Sequence, residues 1–184
     1  MAEYYLISQL PSLDGIGENM PLPITEEAFL NLCSVNLKES KWQRLSKLSL
    51  IPPKDHQKSS SPLIEAWNNG ERNLRLALGV VRAEKMKKEF DGKNQNFSPK
   101  ILEVATAATE SKTPLDAEVF LNSYRLEFLE GLRPMDTFSD EFLFYYLLKL
   151  KLLSRIRQFD KELGKSAYKN IYNSILNGNR LEAI

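Results

Sequence analysis

Apolar positions along this chain recur at helical spacing. From Ser61 onward, Leu63, Trp67, Leu74, Leu78 and Val81 fall at intervals of 4, 7, 4 and 3 residues, which places them on one face of a helix. After Thr113, a second stripe of Leu115, Val119, Leu126 and Leu129 runs out near Gly131 and Pro134. The longest stretch opens after Ser139 and carries Phe142, Tyr145, Tyr146, Leu152, Leu153, Ile156, Phe159 and Leu163. Gly164 follows, where a helix C-cap belongs. Tyr168, Ile171, Tyr172, Ile175 and Leu176 keep the same spacing up to Asn177-Gly178.

Punctuation agrees with the periodicity. Ser61-Pro62, Ser98-Pro99 and Thr113-Pro114 each pair a capping hydroxyl with a proline, and proline at the first helical position gives up no hydrogen bond. Thr25 before Glu26 and Glu27 starts a shorter helix to about Ser34, because the carboxylates suit the positive end of the helix dipole. Another helix is expected from Lys38 to Leu50, with Trp42, Leu45 and Leu48 on one side and a stop at Pro52-Pro53. Gly70 and Gly79 weaken the Ser61 helix, and a kink is expected at Gly70. The opening "EYYLISQLPSL" is aromatic and β-rich up to Pro11, so it reads as a short strand or extended arm; residues 11–24 are loop-like. These elements predict an all-α helical bundle of about six or seven helices with a short N-terminal extended segment. The chain reads as a single domain over 1–184, divisible into lobes at 1–52 and 61–184 by a polar linker at 52–61.

Composition narrows the class. With 184 residues and 42% hydrophobic content, the chain can bury one real core. Cys33 is the single cysteine and has no disulfide partner within the chain, and no leader pattern opens the sequence, so a cytoplasmic location is expected. The apolar run "FLFYYLL" is far short of the roughly 20 residues a membrane span needs, so no direct membrane insertion is expected. A net charge of +1 argues against a nucleic-acid partner. The charges are nonetheless segregated: residues 1–37, 38–100, 101–147 and 148–184 carry −5, +7, −6 and +5 in turn. Such blocks arise when oppositely charged segments lie side by side in a fold, or when a protein docks two partners.

Few residues offer chemistry. The single histidine, His56, sits in the polar linker and reads as an exposed bystander; with one His and one Cys, neither a metal site nor a nucleophilic triad is expected. "DGIG" is too short for a dinucleotide fingerprint, and no phosphate-binding GK[ST] loop occurs. The pairs Glu26-Glu27 and Asp140-Glu141 lie in first helical turns, where the dipole already explains them. The chain therefore reads as a non-enzyme without cofactors. Its candidate partner-binding residues are Arg72, Arg75 and Arg82, spaced 3 and 7 apart along one side of the Ser61 helix, with pairs such as Glu71 with Arg75 as a purely structural use of the same charges. Tyr145 and Tyr146 read as core residues whose hydroxyls reach outward.

Three stretches carry a family resemblance. "YYLISQLPSL", "WNNGERNLRLALGVVRAEK" and "FSDEFLFYYLLKLKLLSRIRQFD" resemble a family of small helical bacterial proteins associated with V-type ATPase gene clusters, itself similar to the C (or d) subunit of V-type ATPases. The likeness covers about half of the chain and leaves out residues 50–60 and 91–112. It implies a non-catalytic accessory or central-stalk component that links the rotor shaft to the membrane ring. Its partners would be V-type ATPase rotor or stalk subunits, and its attachment to the membrane peripheral, through the complex. The C (d) subunit is built from three related helical units and is roughly twice as long, so the resemblance implies that part of its ring-contacting surface has no expected counterpart here. The other readings are a free-standing helical interaction module, for example a homodimer packed through the Phe142 to Ile156 face, and, more remotely, a hydrolase or transferase working through carboxylates in a helical cleft.

Overall fold

The computed structural model describes residues 2–16, 20–54, 59–90, 96–158 and 161–181. His56 and Phe159 lie outside the described residues, as do the side chains of Leu163 and Leu176. Eight helices and no strand occur among the described residues: α1 (Ala2–Gln9), α2 (Glu26–Asn36), α3 (Glu39–Ser46), α4 (Pro62–Lys85), α5 (Pro99–Glu110), α6 (Pro114–Gly131), α7 (Asp140–Arg157) and α8 (Lys161–Leu181). The fold is all-α, with one helix more than expected.

The starts follow the sequence closely. Thr25, Ser61, Ser98, Thr113 and Ser139 each accept a hydrogen bond from the backbone N–H three residues on, at 3.1 to 3.4 Å. Each cap satisfies a donor the helix cannot pair internally, a contribution of about 1 kcal/mol. At the C-terminus of α4, Lys87 takes φ = 54°, the N–H of Lys88 bonds the carbonyl of Ala83, and that of Lys87 bonds Glu84. This is the Schellman arrangement, with lysine in the left-handed position that glycine usually fills.

The N-terminal segment departs from expectation. It is the helix α1 rather than a strand or extended arm, because Leu6 and Ile7 are both buried while Tyr4 and Tyr5 are exposed. Neighbouring residues on a strand point to opposite faces, whereas on a helix adjacent positions share a broad face, here completed by the partly buried Leu10. Packing thus overrides the β preference of the aromatic residues. The expected longest helix is also two: α7 stops at Arg157, and Gly164 lies inside α8 rather than at a C-cap. Likewise, α3 ends at Ser46 rather than Leu50, although Leu45 and Leu48 are both buried.

Two apolar clusters hold the helices. The larger centres on α7, against which α1, α2, α3, the start of α4 and the end of α6 pack through Leu6, Phe29, Leu45, Trp67 and Leu129. It draws on residues from both 1–52 and 61–184. Every residue from Leu143 to Leu150 is buried, so this part of α7 is enclosed on all sides, as the apolar run from Leu143 to Leu148 requires. The face from Phe142 to Ile156 is therefore taken up by the chain's own core. A smaller cluster joins α4, α5 and α6 through Leu74, Ala77, Leu78, Val104, Ala105, Ala108 and Leu121.

Gly70 and Gly79 have steric roles in α4, which runs unbroken through both. A Cβ on Gly70 would lie 2.4 Å from the Phe128 ring, and one on Gly79 would lie 2.6 Å from the Phe90 ring. The two missing side chains let aromatic rings rest directly on the helix backbone.

Candidate functional site

The arginines of α4 divide between support and surface. Arg72 Nη2 donates to the carbonyl of Pro53 at 2.9 Å and Nη1 to Asn69 Oδ1 at 3.4 Å, tying the segment before α4 onto the helix. Arg75 Nε donates to Glu71 Oε1 at 2.8 Å, the pair anticipated from the sequence. Arg82 is exposed and is followed by the exposed Lys85, Lys87 and Lys88, of which Lys85 reaches the carbonyl of Thr109 at 3.1 Å. The exposed basic surface therefore lies at the C-terminal end of α4, while Arg72 and Arg75 also brace the fold.

Glu71 is more than half of a surface pair. It is 3% exposed, and its two oxygens accept from Arg125 of α6: Oε2 from Nε at 3.0 Å and Oε1 from Nη2 at 3.1 Å. Arg125 also donates from Nη1 to Asn122 Oδ1 at 3.2 Å. A two-pronged contact of this kind matches the planar guanidinium to the carboxylate, and burial makes each partner necessary to the other. Apolar spacing does not reveal this: the stripe of Leu115, Val119, Leu126 and Leu129 includes the exposed Val119, whereas the buried face of α6 runs through Leu121, Asn122, Arg125 and Leu129.

The densest charged cluster lies beside α7, and no spacing in the sequence pointed to it. Lys149, 6% exposed, donates from Nζ to Asp14 Oδ1 at 2.6 Å and to Tyr145 Oη at 3.3 Å, and lies 2.6 Å from Glu130 Oε1. Tyr145 Oη donates to Glu130 Oε2 at 2.8 Å, and Arg133 Nη1 bonds Asp14 Oδ2 at 3.2 Å. Next to it, Tyr146 Oη donates to the carbonyl of Pro11 at 2.8 Å. A cavity of about 190 Å³ opens here, with Leu10, Leu13, Phe142 and Tyr146 among its apolar walls and Asp14, Arg133 and Lys149 among its polar ones. The two tyrosines are core residues, as expected, but their hydroxyls bind within the protein.

Burial and these contacts together shift the proton affinities of the cluster. The hydrogen bond from Lys149 holds the Asp14 carboxyl below its usual range. Burial works against the charge on Lys149, yet its bonds to Asp14, Glu130 and Tyr145 outweigh that cost and raise its pKa. Burial, with the bond to Glu130, pushes Tyr145 up to about 12, and burial alone does the same for Tyr146. Cys33 is buried in the larger cluster, and its thiol is likewise pushed up to about 12. At neutral pH Asp14 is thus held ionised, while Lys149 and both tyrosines keep their protons. The arrangement is a clamp joining the α1–α2 loop and the end of α6 to α7. No group of three or more His, Cys, Asp or Glu side chains suited to a metal ion occurs among the described residues.

Residues 92–179 match the model of a family described as a protein of unknown function, DUF2764. The match covers less than half of the chain. It takes in α5, α6, α7 and most of α8, and so includes Arg125, Glu130 and Lys149 but neither Glu71 nor Asp14. No curated protein matches the chain, and no solved structure does.

Proposed function

We propose that this protein is a non-catalytic accessory or central-stalk component of a V-type ATPase, resembling the C (d) subunit, which holds the rotor shaft to the membrane ring. The observation that carries the reading is where the resembling stretches fall. "YYLISQLPSL" forms most of α1 and the turn after it, the tryptophan-led stretch forms most of α4, and the late stretch forms α7. These parts are joined to one another: Tyr146 bonds Pro11, and Trp67 shares the larger apolar cluster with Leu6 and Leu147. The likeness therefore follows the central framework of the fold rather than scattered surface. The clamp around Lys149 suits a part that transmits force, because it locks three segments together through charge. The basic end of α4 is the docking surface for an acidic partner.

The test is an affinity pull-down of the tagged protein from its native membranes in mild detergent, with an Arg82→Glu/Lys88→Glu variant alongside. Both side chains are exposed, so the variant keeps the wild-type fold. Arg72 and Arg75 are left intact because they brace the structure. The expected result is that rotor subunits are recovered with the wild type and lost with the variant. A wild type that recovers none of them overturns the proposal.

A further inference from the structure

Helix α8 presents an uncovered apolar face. Its described side chains are all exposed, and Tyr168, Ile171, Tyr172 and Ile175 lie at i, i+3, i+4 and i+7, each between 51 and 68% exposed. The rings of Tyr168 and Tyr172 stack at 6.1 Å, keeping the stripe continuous. Lys165 and Lys169 border one edge of it, Ser166, Asn170, Asn173 and Ser174 lie across the helix, and no Asp or Glu occurs from Leu163 to Leu181. Large exposed apolar faces on an otherwise packed molecule mark a contact surface.

We propose that α8 lies flat on an anionic lipid surface. The charge pattern selects this occupant. Helices that pair with other helices usually carry both signs in balance beside the seam, whereas α8 sets Lys161, Lys165, Lys169 and Arg180 against the single carboxylate of Glu162, an excess of cations that a continuous anionic surface meets together. The chemistry along the stripe agrees. Isoleucines reach into the acyl boundary, tyrosines place a ring in it and a hydroxyl at the headgroups, and flanking lysines extend their charge outward from an apolar stem. No helix among the described residues is long and apolar enough to cross a membrane, so the contact is in the plane of the surface. Attachment of this kind adds to the expected attachment through partner proteins and does not depend on the V-type ATPase reading.

The experiment is co-sedimentation of the full chain with phosphatidylcholine vesicles, with and without 30 mol% phosphatidylserine, at low and moderate salt. Binding is expected on the anionic vesicles, weakened by salt. Ile171→Glu/Ile175→Glu abolishes it, and Lys165→Glu/Lys169→Glu lowers the partition coefficient on the order of ten-fold or more. Unchanged circular dichroism and melting of both variants, run in parallel, keep the comparison one of surfaces. A wild type that stays in the supernatant with every vesicle overturns the proposal, as does binding indifferent to the isoleucine substitutions. Sedimentation velocity supplies the competing outcome: a dimer that Ile171→Glu/Ile175→Glu dissolves, without vesicle binding by the wild type, assigns the face to a second copy and also overturns it.

Discussion

Lys149 of α7 and Asp14, 135 residues apart in sequence, meet at 2.6 Å, and the lysine is buried where they meet. Around this contact the α1–α2 loop, the end of α6 and the middle of α7 are joined by charge. Replacing Lys149 with methionine retains the packing but strips Asp14 and Glu130 of their shared cation. Both carboxylates are roughly half exposed and rehydrate, so the expected loss is about 2 kcal/mol rather than the full cost of a buried orphan charge. Chemical denaturation of Lys149→Met beside the wild type measures it; equal midpoints would show that the clamp contributes nothing.

The same groups set a pH window. Asp14 has a lowered folded pKa, so its contribution is complete above the ordinary carboxylate value and is lost as pH falls through the folded value. Tyr145 and Tyr146 are raised from 10.0 to about 12, so their contribution is complete below pH 10 and fades as pH rises toward 12. Melting temperature should therefore be flat through neutral pH and fall at both ends. Asp14→Asn should flatten the acid limb, and absorbance at the tyrosinate band should show Tyr145 and Tyr146 ionising late, together with Tyr124, which burial also raises.

Glu71 and Arg125 form the buried pair between α4 and α6. Glu71→Ala leaves a guanidinium 9% exposed with its main partner gone, and a loss of about 3–5 kcal/mol is expected. Glu71→Leu combined with Arg125→Met removes both charges together and should recover most of it. Stability equal in the single and double variants, measured by denaturant titration, would contradict the pairing.

Alanine at Gly70 would ordinarily strengthen a helix by about 1 kcal/mol. Here the new Cβ meets the Phe128 ring at 2.4 Å, and that ring is held beside Trp67, with centroids 6.2 Å apart. A net loss of about 1–2 kcal/mol is expected as the ring is displaced. In a Phe128→Leu background the sign should reverse, since the obstacle is smaller; thermal melts of the four proteins decide it.

Local chemistry is legible in the amino-acid sequence. The all-α class, the five capped starts at Thr25, Ser61, Ser98, Thr113 and Ser139, and the apolar face of α4 all rest on interactions within a few residues, which a linear sequence displays. The candidate arginines fall on their helix as the spacing predicts, but spacing does not show that Arg72 is engaged by Pro53 and Arg75 by Glu71, although Arg75, like Arg82, is exposed. Tertiary structure decides the remainder. Residues 2–9 are helical because Leu6 and Ile7 share one core, which local propensity does not encode. Lys149 is buried because Asp14 and Glu130 arrive from distant parts of the chain, and Glu71 because Arg125 faces it across 54 positions. A charge alone in a sequence reads as solvated; only the packing that brings its opposite within hydrogen-bonding reach offsets the cost of burying it.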